Sequence, residues 1–164
     1  MAEEILTAEE SQDLAIIETS DAIAEFGAGG GFFKKVAEHL LTVGYYATFP
    51  TEDLASRKRL LAATRGDVKL LRDFMGAEIE VADLVFEQTK VTDDEGLPLL
   101  TVGVVIIDTD GVAYKSTSNG VVESAGKLIE MLGTPDTWGG ESVVVICKET
   151  TTARGRRYKY LDFK

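Results

Sequence analysis

The chain has 164 residues, 45% of them hydrophobic, with 17 Lys and Arg against 28 Asp and Glu and a formal net charge of −11. That size fits one domain plus an extension, and no apolar run nears the roughly 18 residues of a membrane span. A single cysteine, Cys147, excludes an internal disulfide, and with a single histidine, His39, it excludes a His/Cys zinc site.

Residues 1–26 carry eight acidic residues (Glu3, Glu4, Glu9, Glu10, Asp13, Glu18, Asp21, Glu25) and no Lys or Arg. The rest of the chain holds 20 acids and 17 bases, so the acidity belongs mostly to the tail. An acidic start does not read as a signal peptide, which begins basic and turns apolar. Thr7 and Glu10 have the form of a capping box, which predicts a short helix from about residue 8. Leu14, Ile17 and Ile23 follow at loosely helical spacing. Gly27-Ala-Gly-Gly-Gly31 reads as a flexible linker, so residues 1–31 form an acidic tail with its linker.

Residues 32–75 read as a helical N-terminal region. Phe32, Phe33, Val36, Leu40 and Leu41 recur at steps of three and four, and Gly44 stops that helix. Thr51 is the expected N-cap of a second helix, Glu52 to Ala63, with Leu54, Leu60 and Leu61 as its apolar stripe. Asp67 caps a short turn carrying Val68, Leu70, Leu71 and Phe74. Bases cluster here: Arg57, Lys58, Arg59, Arg65, Lys69 and Arg72. A solvated helix face is the plain reading; a second nucleic-acid contact, or a dock for the acidic tail, is the alternative.

Residues 76–164 change period and read as strands. Glu78 to Gln88 is the first, with Ile79, Val81 and Val85 on one face and Phe86 in the core. Leu99 to Ile107 is the second, after the polar turn Thr92–Gly96. Asp108-Thr-Asp-Gly111 signals a hairpin, and Val112 to Thr117 is the third strand. An amphipathic helix follows, Val121 to Leu132, with Val122, Ala125, Leu128, Ile129 and Leu132 on one face. Trp138, after Gly133-Thr-Pro135, reads as a ring packed over the end of that helix. Ser142 to Glu149 and Arg156 to Phe163 are the fourth and fifth strands, joined by a turn at 150–155. The order β-β-β-α-β-β is that of a five-stranded OB-fold barrel. The expected architecture is therefore mainly β with added helices, an OB-fold domain at 76–164 behind a helical extension. Such barrels take oligonucleotides on the face of strands two and three and on two loops, here about 89–97 and 150–156.

Leu70-Leu-Arg-Asp-Phe-Met-Gly-Ala-Glu-Ile-Glu-Val-Ala-Asp-Leu84 resembles the stretch that opens the barrel in phage single-stranded DNA-binding proteins. The likeness continues through Asp108–Ser118, the Ser124–Leu132 helix, Thr137-Trp138 and the hairpin Val143–Phe163, about 95 residues in all. The family also shares distant likeness with the binding proteins of phages that replicate by protein priming. The resemblance implies an OB-fold, non-sequence-specific binding of single-stranded DNA, and protection of replication or recombination intermediates. It also implies a phage-encoded protein working in the host cytoplasm, and the lone cysteine suits a reducing compartment. The first 69 residues are longer than the family leads one to expect.

Single-strand binding needs cations that follow the phosphates and flat rings on which bases stack. The last hairpin supplies both: Lys148 leads in, Arg154, Arg156 and Arg157 form the tip, and Tyr158, Lys159 and Tyr160 leave it. Alternation puts Tyr158 and Tyr160 on one face and Arg157, Lys159, Leu161 and Phe163 on the other. Leu161 and Phe163 are the better core residues, so the tyrosines are the displayed pair. The competing reading is a solvated hairpin with ordinary strand tyrosines. Tyr114 and Lys115 on the third strand repeat the aromatic–basic pairing. Lys90 precedes Asp93, Asp94 and Glu95, whose charge would repel a nucleic-acid strand.

Enzymatic readings find no support. Gly27–Gly31 lacks the Lys-Ser/Thr of a P-loop and follows no strand, and one histidine leaves no Ser/His/Asp set. Asp93–Glu95 and Asp108/Asp110 sit in turns that favour Asp for backbone reasons, so no metal and no cofactor is expected. The expected partner is single-stranded DNA, with replication proteins recruited through the acidic N-terminus, possible self-association and no membrane. The tail has rival readings: a DNA mimic competing for the basic groove, a recruiting peptide, a solubilising segment, or an arm swapped between subunits through Leu14, Ile16, Ile17 and Ile23. Two rivals stand beside DNA binding itself: an OB-type protein-interaction module or replication accessory factor, and a virion structural protein.

Overall fold

The computed structural model describes residues 21–164; the expected helix near residue 8 lies outside them. The elements in order are α1 (Asp21–Gly27), α2 (Gly31–Thr42), β1 (Tyr45–Ala47), α3 (Leu54–Arg65), β2 (Lys69–Leu70), a 3-10 turn (Leu71–Phe74), β3 (Glu78–Thr92), β4 (Pro98–Asp108), β5 (Ala113–Ser116), α4 (Asn119–Leu132), a second 3-10 turn (Pro135–Thr137), β6 (Val144–Thr151) and β7 (Arg157–Phe163). From β3 onward the order is the expected one. The strands form a curled half-barrel whose pairing runs β2-β5-β4-β3-β6-β7, with β1 on β3.

The long strand β3 makes the curl. Its start pairs with β6 (Glu78↔Ile146), and its remainder pairs with β4 from Asp83↔Ile107 to Thr92↔Pro98. Between Val81 and Asp83 the register shifts. Such a bulge bends the strand and reverses which residues face inward. Ile79 and Val81 face the inner core as expected, but beyond the bulge the inner residues are Leu84 and Phe86. Val85 therefore lies on the outer face, opposite to its expected side.

The expectation from the strand order is five strands closing a barrel. Seven form here, and among the described residues they close no ring. β5 has four residues, and its free edge is taken by Lys69 and Leu70 in parallel register (Lys69↔Tyr114, Leu70↔Lys115). That leaves a seam between β5 and the β6–β7 hairpin.

Helices cover both faces. On the inner side Val121, Val122, Ala125, Leu128 and Ile129 of α4 join Val104, Ile106, Val145 and Leu161 in one core, while Leu132 is exposed. The same core takes Val36 and Leu40 of α2 and Ile23 of α1. The glycines read as a flexible linker instead form the turn between α1 and α2. A Cβ on Gly27 would fall 2.7 Å from that of Ala37, so the close approach of the two helices needs glycine there.

On the outer side Ala63 and Leu60 of α3, with Phe49, cover Val85, Val105, Ile107 and Ala113. Leu54 and Leu61 are exposed, so the buried stripe of α3 is narrower than the leucine spacing suggests. The N-cap is Asp53, not Thr51: the Asp53 carboxylate accepts from Ser56 N at 2.7 Å, which holds its pKa below the usual carboxylate range. Trp138 donates its indole N–H to the carbonyls of Leu132 and Gly133, both at 3.1 Å, closing the C-terminus of α4 as the sequence suggested.

Candidate nucleic-acid interface

The β6–β7 hairpin pairs Cys147↔Leu161, Lys148↔Tyr160, Glu149↔Lys159, Thr150↔Tyr158 and Thr151↔Arg157. Successive residues of a strand face opposite sides, so Tyr158, Tyr160 and Lys148 share one face. Leu161 and Cys147 are buried on the other, while Phe163 is 48% exposed and does not complete the core as expected. The two tyrosine rings lie nearly parallel, 6.2 Å between centroids at an interplanar angle of 18°. Tyr158 is 38% exposed and packs over the start of α4. A Cβ on Gly120 would sit 2.0 Å from the Lys159 carbonyl and 2.6 Å from the Tyr158 ring, so glycine at that position is what admits the ring. Burial, with Glu123 adding to it, pushes the Tyr158 hydroxyl above its ordinary pKa, which keeps the ring neutral.

At the tip, Gly155 takes φ +78°, and the turn closes through Gly155 N to Thr152 O and Thr152 N to Arg156 O. Arg154, Arg156 and Arg157 are exposed. Among the described residues, no carboxylate pairs with any of them or with Lys159. Lys148 differs: its ammonium donates to Asp162, which raises the lysine pKa and lowers that of the carboxylate. Both groups are well exposed, so the pair adds little stability.

Tyr114 and Lys115 point to opposite sides of β5. Tyr114 packs edge-on to Phe74 at 5.1 Å against the inner core, its hydroxyl 3.4 Å from Asp108 Oδ2. Lys115 Nζ lies 2.6 Å from Glu87 Oε1, a charge contact whose angles are not those of a hydrogen bond. Neither is displayed beside the tyrosine pair. Part of the interface is expected on a face of β4 and β5, and much of their outer face is covered by α3. The acidic turn uses Asp93 internally: its carboxylate accepts from Glu95 N and Leu97 N.

The Arg57–Arg72 cluster is dispersed. Arg57 Nε donates to Thr51 O. Arg59 pairs with Asp83 at 2.6 Å and lies over the Phe49 ring. Lys69 lies over Phe74. Arg72 reaches the seam, where it lines the same groove as Lys115 and Lys159. Nothing in its local sequence marks that position, because a parallel pairing of β2 with a distant strand creates it.

A mainly β half-barrel with a helix between β5 and β6 is compatible with an OB-like fold, an oligonucleotide-binding class. The family model described as phage single-stranded DNA-binding protein, of the phi29 type, matches residues 42–163, and the chain belongs to that family. The protein is thus a member of a phage family that binds single-stranded DNA. No curated protein and no solved structure matched in the same comparisons. No described helix is long and apolar enough to cross a membrane.

Proposed function

We propose that the protein coats single-stranded DNA without sequence preference, protecting replication or recombination intermediates, and that the β6–β7 hairpin is its principal contact. The observation that carries this reading is the joining, on one hairpin, of three exposed arginines that pair with no carboxylate among the described residues to a near-parallel tyrosine pair. Arg154, Arg156, Arg157 and Lys159 follow the phosphates, with Lys148 beside them once its bond to Asp162 is exchanged for a phosphate. Tyr158 and Tyr160 take stacked bases. Stacking reads no base edge and phosphate contact reads none either, so the pair of terms gives affinity without sequence preference. Residues 76–164 serve as the OB-type binding unit, and the segment before them braces the sheet on both faces and is where partner docking falls.

The test is titration of the protein with oligo(dT) at two salt concentrations, read by tyrosine fluorescence. Quenching, and affinity that falls as salt rises because counterions are released, is the expected result. Absence of quenching together with salt-insensitive binding would reject the reading in favour of a protein-interaction module or a virion component.

A further inference from the structure

The seam between β5 and the β6–β7 hairpin holds a groove of about 310 Å³. Arg72, which follows β2, and Lys159 of β7 line it, together with Ser116, Thr117 and Ser118 at the end of β5 and the buried Leu71 and Cys147. Among the described residues no carboxylate lines it, and the strand neighbour of Lys159 across the hairpin is Glu149. Lys115 also borders the groove, with its ammonium held by Glu87. The thiol of Cys147 is pushed above its ordinary pKa by burial, with Lys159 lowering it and Glu149 raising it.

We infer that this groove is a subsite for one nucleotide of the bound strand, its phosphate held between Arg72 and Lys159. The inference rests on the single-strand reading above and extends the contact path across the seam to the segment that precedes the half-barrel. Three observations support it. The volume lies at the lower end of ligand-sized clefts, enough for one nucleotide and too little for several. The lining offers three cations, of which Lys115 is paired with Glu87, and three hydroxyls, donors that suit phosphate oxygens. Finally, the groove is continuous with the hairpin: Lys159 stands two residues after Arg157 on the same strand face, opposite Tyr158 and Tyr160. A strand stacked on the tyrosines therefore has a cationic route over the edge of β7 into the seam. Arg72 thereby becomes a DNA contact that the last hairpin alone does not contain.

The experiment compares full-length Arg72→Gln, Arg72→Lys and Lys34→Gln with the parent chain. Oligo(dT) affinity is measured across a salt series, with thermal melts as a fold control. Arg72→Gln is expected to weaken binding roughly tenfold, the loss of one charge-assisted contact. It should also flatten the slope of log affinity against log salt by about 0.7, the value of one phosphate on a single strand. Arg72→Lys should restore the slope, which a merely structural role would not do, and Lys34→Gln on the exposed face of α2 should change neither. Parent-like affinity and slope in Arg72→Gln, while Arg154/Arg156/Arg157→Glu abolishes binding, would overturn the groove and leave the hairpin reading intact. Lost affinity with an unchanged slope, or a slope that Arg72→Lys fails to restore, would also overturn it. Failure of the parent chain to bind at all would overturn both.

Discussion

Two long hairpins leave the half-barrel, β3–β4 and β6–β7, and one turn design closes both. At 93–97 the chain folds through Gly96 N to Asp93 O and Asp93 N to Leu97 O, with the Asp93 carboxylate accepting from Leu97 N. At 152–156 the same bonds run from Gly155 N to Thr152 O and from Thr152 N to Arg156 O, with the Thr152 hydroxyl accepting from Arg156 N. The β4–β5 turn repeats the pattern with Asp108 and Gly111. Gly96, Gly111 and Gly155 all take φ near +80°, the type I turn with a glycine bulge. The difference lies in the first residue. Two turns use Asp, and the basic one uses Thr, which offers an oxygen acceptor to the same N–H and brings no charge. A carboxylate at 152 would stand beside Arg154 and Arg156, where the proposed phosphate path runs. The backbone requirement is shared by all three turns, and the uncharged acceptor at 152 suits the phosphate path proposed for that tip.

The comparison is broken most severely by reversing charge at the tips. Arg154/Arg156/Arg157→Glu is expected to lower oligo(dT) affinity by roughly three orders of magnitude, about one for each contact removed, with an unchanged melting temperature. Asp94→Lys with Glu95→Lys at the acidic tip should stay within about twofold in the same oligo(dT) titration, since exposed charges away from the strand are screened. Equal losses at the two tips would mean that neither hairpin is specifically the interface. Tyr160→Ala should cost about 1–3 kcal/mol of binding, one stacked base, and abolish part of the fluorescence quench. An unchanged quench would remove stacking from the account. Thr152→Asp keeps the acceptor and adds only the charge, so binding should weaken on the order of fivefold while the melt is preserved. A variant that binds like the parent would show that Thr152 is there for the turn alone. The smallest effect belongs to the acidic tail. Truncation before Asp21 should raise affinity about twofold at low salt and not at high salt, where charge competition is screened. Parent-like affinity at both salts would sink the competition reading. The cut stops there because Ile23 is buried in the core, which takes it out of any swapped arm.

The half-barrel was legible because its signals are local. Asp-Gly at 110–111 marks a hairpin, the apolar run 99–107 reads as a strand, and the period of 121–132 is that of a helix. That Tyr158 and Tyr160 share the face opposite Leu161 followed from alternation, with Leu161 fixing which side is core. What failed depended on pairing at a distance. The inward-facing side of β3 changes at a bulge, so Val85 landed outside. The outer sheet face is occupied by α3, a tertiary contact that the exposed leucines Leu54 and Leu61 obscured. Tyr114 looked displayed beside Lys115, yet adjacent strand residues face opposite ways and the ring packs inward. Arg72 joins the seam only because Lys69 and Leu70 take the edge of β5, a pairing 45 residues apart in sequence with no local mark.

The central claim is that single-stranded DNA lies along β6–β7, and photo-crosslinking tests it most directly. Oligo(dT) irradiated on the full-length protein, digested and mapped by mass spectrometry, should leave its adducts on Tyr158 or Tyr160. Adducts confined to the β3–β4 hairpin or to α3, with none between residues 148 and 160, would contradict it.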